Sequence, residues 1–127
     1  MKVVLLIGLP GSGKSTTGKY WSEVFKIPFY DDASHLVKDI KEILDKKEDE
    51  IIISDCNLCI PSVLNQAKII ISEYTNEIFI FSFENNKEKC LYNVQQRNDG
   101  RKVERMIRLL SKVYKPEGYI LDIYKKE

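Results

Sequence analysis

One nine-residue stretch near the N-terminus constrains the fold of this chain more than any other feature. Residues 8–16 read GLPGSGKST, which fits the spacing G-x-x-x-x-G-K-[ST]. The apolar run VVLLI precedes it and an amphipathic segment follows it. The order strand, glycine-rich loop, helix is the context in which this spacing forms a phosphate-binding P-loop.

The residue types in the loop explain why it suits phosphate. Glycines allow successive backbone N–H groups to turn inward around an anionic oxygen, and the following helix adds its unpaired N–H groups and the positive end of its dipole. Lys14 is expected to reach the β- and γ-phosphates, and the Ser15 hydroxyl to ligate Mg²⁺. The sequence therefore predicts binding of a nucleoside triphosphate, ATP, with Mg²⁺. The predicted nucleotide-binding residues are Gly8, Pro10, Gly11, Ser12, Gly13, Lys14, Ser15 and Thr16.

Composition narrows the class of protein. A chain of 127 residues with a formal net charge of +1 predicts a single domain over residues 1–127 and gives no global field for nucleic acid or membrane. The apolar runs are too short to cross a bilayer, so no membrane partner is expected. Cys56, Cys59 and Cys90 make an odd count without a disulfide framework. Reduced thiols and a cytoplasmic setting are the prediction.

Alternating apolar runs and amphipathic segments predict an α/β fold: a three-layer sandwich with a parallel sheet of about five strands. Strands are predicted at residues 2–8, 27–30, 51–53, 78–81 and 119–124, with helices between them. In the first helix, Tyr20, Trp21, Val24 and Phe25 stand at the spacing of core residues. The last strand is a candidate edge for pairing, but the sequence leaves the oligomeric state open.

Acidic residues follow two of the predicted strands, where the carboxyl ends of parallel strands meet the P-loop. Asp31 or Asp32 could accept the proton of an acceptor hydroxyl, or could cap a helix and face solvent. Asp55 could serve Mg²⁺ and, together with Asn57, bind the acceptor, or the Asp-x-Asn sequence could form a turn. His35 could contact the acceptor or lie on the surface.

All four arginines, Arg97, Arg101, Arg105 and Arg108, fall within one short segment. The planar guanidinium binds phosphate in a fixed geometry that lysine does not reproduce. Arg97 and Arg101, with Gly100 between them, are predicted to form a short lid that closes over the triphosphate and supplies positive charge in the transition state. Arg105 and Arg108 are expected on a solvated helix face.

Taken together, these motifs resemble the P-loop kinase domain of bacteriophage-type polynucleotide 5′-hydroxyl kinases. The resemblance spans nearly the whole chain and is carried by residues 8–16, the stretch IISDCNL at 52–58, and RNDGR at 97–101 with the helix after it. It implies that Lys14 and Ser15 hold ATP and Mg²⁺, that Arg97 and Arg101 belong to the lid, and that an aspartate after the second strand is the general base.

The chain departs from that family at the expected acceptor site. An arginine typically stands three residues after the catalytic aspartate, where Ser34 follows Asp31 and His35 follows Asp32 in this chain. The Asp32-x-x-His35 pattern also resembles gluconate-type kinases. Three hypotheses are therefore open: a kinase acting on the 5′-hydroxyl of a polynucleotide, a kinase acting on a nucleoside, nucleotide or sugar, and a non-catalytic ATP-binding regulator.

Overall fold

Strands and helices alternate along the chain, as the sequence predicts. The computed structural model describes residues 1–31, 36–97 and 101–124. The strands are β1 (Lys2–Ile7), β2 (Phe29–Asp31), β3 (Glu50–Ser54), β4 (Ile78–Phe83) and β5 (Tyr119–Leu121). The helices are α1 (Lys14–Phe25), α2 (Leu36–Asp45), α3 (Pro61–Ser72), α4 (Lys87–Arg97) and α5 (Arg101–Ser111), and a 3-10 turn spans Cys56–Cys59.

The five strands form one parallel sheet in the order β2-β3-β1-β4-β5. The predicted α/β class with a parallel five-stranded sheet is confirmed. In such a sheet all carboxyl ends lie at one edge, and a ligand binds outside that edge where the strand order reverses. Here the edge carries the P-loop after β1, Asp31 at the end of β2 and Asp55 after β3.

Strand order also determines how many helices cover each face of the sheet. The connection from β1 to β2 runs toward one edge, whereas those from β2 to β3, β3 to β4 and β4 to β5 all run toward the other. Because crossovers between parallel strands are right-handed, connections of opposite direction lie on opposite faces. One face is therefore covered by α1 alone, and the other by α2, α3, α4 and α5.

The face with four helices holds most of the core. Val3, Leu5 and Ile7 of β1 point to this face and are at most 1% exposed. Ile71 of α3 and Ile107 of α5 are fully buried as well. Burial of this many large apolar side chains is the dominant stabilising term of the fold.

The expectation that α1 buries Tyr20, Val24 and Phe25 is wrong. These side chains are 62%, 52% and 63% exposed. The helix contacts the sheet through a narrower stripe that includes Gly18, where a Cβ atom would lie 2.3 Å from the Phe29 ring. Of the four predicted core residues Trp21 is the one that is partly buried against the core, with its ring edge-on to Phe81 at 5.1 Å between centroids. The other three remain exposed because no described element lies beside this helix on its face.

Strand β5 is shorter than the predicted 119–124. The backbone pairing with β4 ends at Leu121. After it, the Ile123 N–H donates to a side-chain atom, Glu84 Oε2, at 3.1 Å instead of to a backbone carbonyl. Cys56, Cys59 and Cys90 are all free thiols. Within the described ranges, every helix is too short or too polar to cross a membrane.

Candidate active site

The P-loop is held in the backbone conformation that its glycines permit. Gly11 and Gly13 have φ angles of 84° and 101°, in the left-handed region that other residues rarely adopt. A Cβ atom at Gly11 would lie 2.5 Å from the Cys90 carbonyl oxygen, so α4 is in close contact with the loop there. A Cβ atom at Gly13 would meet nothing within 4 Å. The N-terminus of α1 therefore opens onto free space lined by backbone N–H groups, a geometry that favours anions.

Lys14 follows directly and is only 8% exposed. In the described part of the chain it forms no ion pair with a carboxylate. A lysine with so little exposed surface and no opposite charge beside it is costly. An anion bound at the loop would supply that charge.

Ser15 and Asp31 join the loop to the end of β2. The Ser15 hydroxyl donates to Asp31 Oδ2 at 2.5 Å, while Asp31 Oδ1 is buried without a hydrogen-bond partner in the described structure. A hydroxyl and a carboxylate are the hard oxygen donors that Mg²⁺ prefers, and an unpartnered buried carboxylate oxygen is an open coordination position. The residues present fit a magnesium ion.

Asp55 and Asn57 make a turn. Asp55 is 3% exposed, and its Oδ1 accepts from the Asn57 backbone N–H at 2.7 Å, which caps the 3-10 turn at Cys56–Cys59. Neither residue lines the cavities beside the loop. The turn chemistry anticipated for this sequence is thus present, and the metal role of Asp55 and the acceptor role of Asn57 stay predictions.

A cavity of about 340 Å³ lies on one side of the loop, between it and α5. Its lining combines the loop with Cys56, Arg97, Val103 and Met106. Cys56 Sγ and Met106 Sδ are 3.9 Å apart, so the turn after β3 and helix α5 are in contact where they line this cavity. We call it the α5-side cavity.

A second cavity, of about 370 Å³, lies on the other side of the loop. Thr17, Phe83, Asp122 and Tyr124 line it, and we call it the Tyr124-side cavity. Gly11, Gly13, Thr16 and Arg97 border both cavities. Arg97, at the end of α4, thus stands at the junction of the two spaces, next to the predicted phosphate position.

Asn93 is a site residue that the sequence analysis missed. Its side-chain amide donates to the Gly11 carbonyl at 3.0 Å and to the Tyr124 carbonyl at 2.9 Å, and the residue is 7% exposed. It therefore fixes the P-loop to the segment that lines the Tyr124-side cavity. The available signal was its position four residues before Arg97, which places both residues on one helix face.

Tyr114 is a second missed structural link. Its hydroxyl donates to the Phe83 carbonyl at 2.5 Å and lies 3.3 Å from that of Ile7, so it joins the ends of β4 and β1 under the loop. Burial raises the pKa of this hydroxyl. It therefore stays protonated and can donate at any physiological pH.

Two of the thiols near the loop, Cys59 and Cys90, are unreactive. Burial raises the pKa of Cys59 and that of Cys90 to about 12, although the Lys14 charge acts in the opposite direction. A thiol with so high a pKa is a poor nucleophile and a poor metal ligand. Across the described ranges, no group of three or more His, Cys, Asp and Glu side chains forms a metal site.

The remaining predicted residues are less completely described. Asp32 and His35 lie outside the described residues, and Arg101 begins α5 with a side chain that is likewise outside them. Arg105 and Arg108 are exposed on α5, and neither forms an ion pair in the described structure.

The fold is that of the P-loop kinases. The crystal structure of a gluconokinase from Sinorhizobium meliloti superimposes with a TM-score of 0.69 at 11% identity, over 98% of this chain and 84% of that one. A shikimate kinase from Bacteroides thetaiotaomicron superimposes with a TM-score of 0.57 at 12% identity, over 96% and 85%. At these identities the likeness concerns the fold.

Sequence comparison places the chain in a family. The uncharacterized protein R277 of Acanthamoeba polyphaga mimivirus is 33% identical over 112 residues, which cover 80% of this chain and 76% of that protein. The chain belongs to one family with this viral protein. No family model matches it.

Proposed function

We propose that this chain is a kinase that transfers the γ-phosphate of ATP to a hydroxyl group. The observation that carries the proposal is Lys14, a mostly buried cation without a carboxylate partner in the described structure, at the open end of a P-loop. The Ser15–Asp31 pair beside it supplies oxygen ligands. A bound magnesium nucleotide would supply both missing partners. Its phosphates would pair with Lys14, and its metal ion would bind the Asp31 carboxylate.

The two cavities suggest how the reactants divide. The triphosphate would lie along the loop, with the base and ribose in the Tyr124-side cavity and the acceptor in the α5-side cavity. Arg97 borders both cavities, so its guanidinium would face the group in transfer. Arg101 would join it as the second lid residue, because it begins the helix that closes the α5-side cavity.

Magnesium would be held by the Ser15 hydroxyl and the Asp31 carboxylate. When bound, it neutralises the developing charge on the β- and γ-phosphate oxygens. This assignment shifts the metal role predicted for Asp55 to Asp31. With Asp31 facing Ser15, the proton acceptor is assigned to Asp32.

In the reaction, the acceptor oxygen forms a bond to the γ-phosphorus while the bond from that phosphorus to the β–γ bridging oxygen breaks, leaving ADP. The proton of the acceptor hydroxyl passes to the carboxylate of Asp32. The backbone N–H groups of the loop, Lys14 and Arg97 would stabilise the transferring group by charge, and closure of the lid would exclude water.

For the acceptor we propose the 5′-hydroxyl of a polynucleotide, as the family resemblance implies. Helix α5 supports it: Arg105, Arg108 and Lys112 are exposed at positions i, i+3 and i+7 and form no ion pair in the described structure. This stripe runs along the helix whose Val103 and Met106 line the α5-side cavity. A strand whose first nucleotide entered that cavity could place later phosphates along the stripe.

A small hydroxyl compound is the second candidate acceptor. The two kinases with this fold named above are a gluconokinase and a shikimate kinase. The α5-side cavity, at about 340 Å³, has the size of a small-molecule site.

The test is transfer of labelled γ-phosphate from Mg-ATP to a panel of acceptors: 5′-hydroxyl DNA and RNA oligonucleotides, nucleosides, nucleoside monophosphates and simple sugars. Label at oligonucleotide 5′ ends establishes the polynucleotide kinase. Label on a small compound alone selects the second candidate. Absence of transfer to every acceptor while ATP binds would overturn the kinase proposal and favour a regulator.

Charge removal on α5 separates the two acceptors. In the double variant Arg105→Ser, Arg108→Ser we expect the KM for an oligonucleotide to rise about tenfold and to become less sensitive to salt, because two phosphate contacts are lost. The KM for ATP should be unchanged. The control is Lys19→Ser with Lys41→Ser, which removes two exposed charges elsewhere.

A further inference from the structure

The face of the sheet that α1 covers alone is only partly shielded from solvent. Val4 of β1 lies beside Phe79 of β4, and two residues further along Leu6 lies beside Phe81, so both phenylalanines point to the α1 face. Tyr119 pairs with Phe81 across β4 and β5 and stacks on its ring at 4.9 Å between centroids. Phe79 is 40% exposed and Tyr119 is 62% exposed.

One side of α1 forms a wall beside this uncovered part of the sheet. Thr17 lines the Tyr124-side cavity and so faces β4 and β5. Tyr20 and Val24 follow it at i+3 and i+7 and lie on the same side of the helix. The exposed α1 residues and the exposed sheet residues therefore border a single groove. We define the aromatic face as Tyr20, Val24, Phe25, Phe79, Phe81 and Tyr119.

An apolar cleft of about 340 Å³ forms one end of the groove. Phe25 and Phe81 line it together with Val4 and Ile27. With aromatic side chains of roughly 200 Å² each about half exposed, the aromatic face presents on the order of 500 Å² of apolar surface. That is near the upper end of what a monomer leaves in contact with water, about 600 Å².

We infer that the aromatic face is a dimer interface, and that its occupant is a second copy of this chain. The residues have the composition of an interface core, since they are rich in Tyr and Phe and include no charged side chain. The apolar area is more than half of the roughly 800 Å² per partner that a stable interface buries.

A second copy also fits the charge and shape of the surface. The net charge of +1 means that two copies do not repel one another strongly. A two-fold axis through the groove would set the aromatic face of one copy on that of the other, so that one patch serves as both halves of the interface. The interface would leave both cavities beside the P-loop, and hence the proposed function, independent of it.

The test is sedimentation velocity of the full chain over a concentration series. We expect a species of twice the 14.8 kDa monomer mass at micromolar concentrations. In Phe25→Glu with Tyr119→Glu we expect the dimer dissociation constant to rise about 100-fold, because two copies of each charge would be buried without partners. Val24→Glu, at a position 52% exposed, gives a milder variant that is not expected to disturb folding.

The matched control is Ile69→Glu on α3, which is 57% exposed on the four-helix side and should leave the dimer intact. Circular dichroism and ATP binding verify that each variant is folded. A wild-type chain that stays monomeric at high micromolar concentration would overturn the inference and leave the face to a different protein. A dimer that tolerates all three aromatic-face substitutions would overturn it as well.

Discussion

The P-loop end of the sheet and the aromatic face both leave groups unsatisfied, but of opposite kinds. At the loop, Lys14 is mostly buried without a carboxylate partner in the described structure, and Asp31 Oδ1 is buried there without a hydrogen-bond partner. On the aromatic face, Phe25 and Tyr119 are apolar groups left in water. A stable monomer gains from neither arrangement. The difference indicates what each region receives: ions at the loop, and an apolar surface at the aromatic face.

The largest effect is expected at Lys14. Lys14→Met keeps the aliphatic stem and removes the charge, so phosphate transfer should fall about 1000-fold, as for other transition-state donors. Without nucleotide, the melting temperature should stay the same or rise, because an unpaired buried charge has been removed. Measuring kcat/KM and thermal unfolding on the same samples separates the two effects.

The control for Lys14 is Lys19→Met, an exposed lysine on the same helix, which should change neither quantity. If Lys14→Met lowered the melting temperature by many degrees, Lys14 would be a structural residue, and the contrast between the two regions would fail.

The second prediction compares the two faces of the sheet. Leu5 is fully buried on the four-helix face, so Leu5→Ala should lower the free energy of unfolding by about 2–5 kcal/mol. Phe79 is 40% exposed on the aromatic face, so Phe79→Ala should lower the free energy of unfolding by only about 1 kcal/mol. Denaturant unfolding at low protein concentration measures both in the monomer.

Concentration sharpens this comparison. Binding of a second copy stabilises the folded state by mass action, so the cost of Phe79→Ala should grow as the protein concentration rises, while that of Leu5→Ala should not. Equal costs for the two substitutions at every concentration would show that the aromatic face is already satisfied in the monomer.

Most of the fold could be predicted because apolar periodicity determines it. The runs around β1, β3 and β4 are continuous and apolar, as buried parallel strands require, and the P-loop motif requires a helix directly after β1 and its loop. The error on α1 has a physical cause: helical periodicity identifies an apolar side but not whether another element covers it. Whether a helix side is covered depends on strand order, because strand order determines which face of the sheet each helix lies on. In this chain Tyr20 and Val24 lie beside a part of the sheet that no described helix covers.

The candidate site was predictable where one motif contains it. Lys14 and Ser15 could be assigned from local spacing alone. The contact between Ser15 and Asp31 and the bonds of Asn93 join residues from separate elements, and no local pattern records such distances. At Asp55 the local sequence was ambiguous, because Asp-x-Asn suits both a turn and a metal ligand. The hydrogen bond from the Asn57 N–H to Asp55 shows that the turn is present.

The third prediction concerns Asn93, which supports the loop end from behind. Asn93→Leu keeps the approximate volume but leaves the Gly11 and Tyr124 carbonyls without their donor, so the KM for ATP should rise about tenfold and unfolding should cost about 1–3 kcal/mol less. Asn93→Asp should be worse, because a carboxylate would face two carbonyl oxygens. The exposed neighbour Gln96→Leu is the control. An Asn93→Asp variant with wild-type ATP binding would exclude this supporting role.

The smallest expected effect is a pH dependence at Glu84, which holds the segment between β5 and the Tyr124-side cavity. The Ile123 N–H and the Asn86 side chain donate to its carboxylate, and with Lys89 nearby they hold its pKa below the ordinary range. A depressed pKa means that the stabilisation is fully present above the unfolded-state pKa and is lost as the pH falls through the folded-state value. The melting temperature should therefore decline below about pH 4.5 less steeply in Glu84→Gln than in the wild type, with the exposed Glu88→Gln as the reference. Parallel curves for wild type and Glu84→Gln would mean that this carboxylate does not secure the segment.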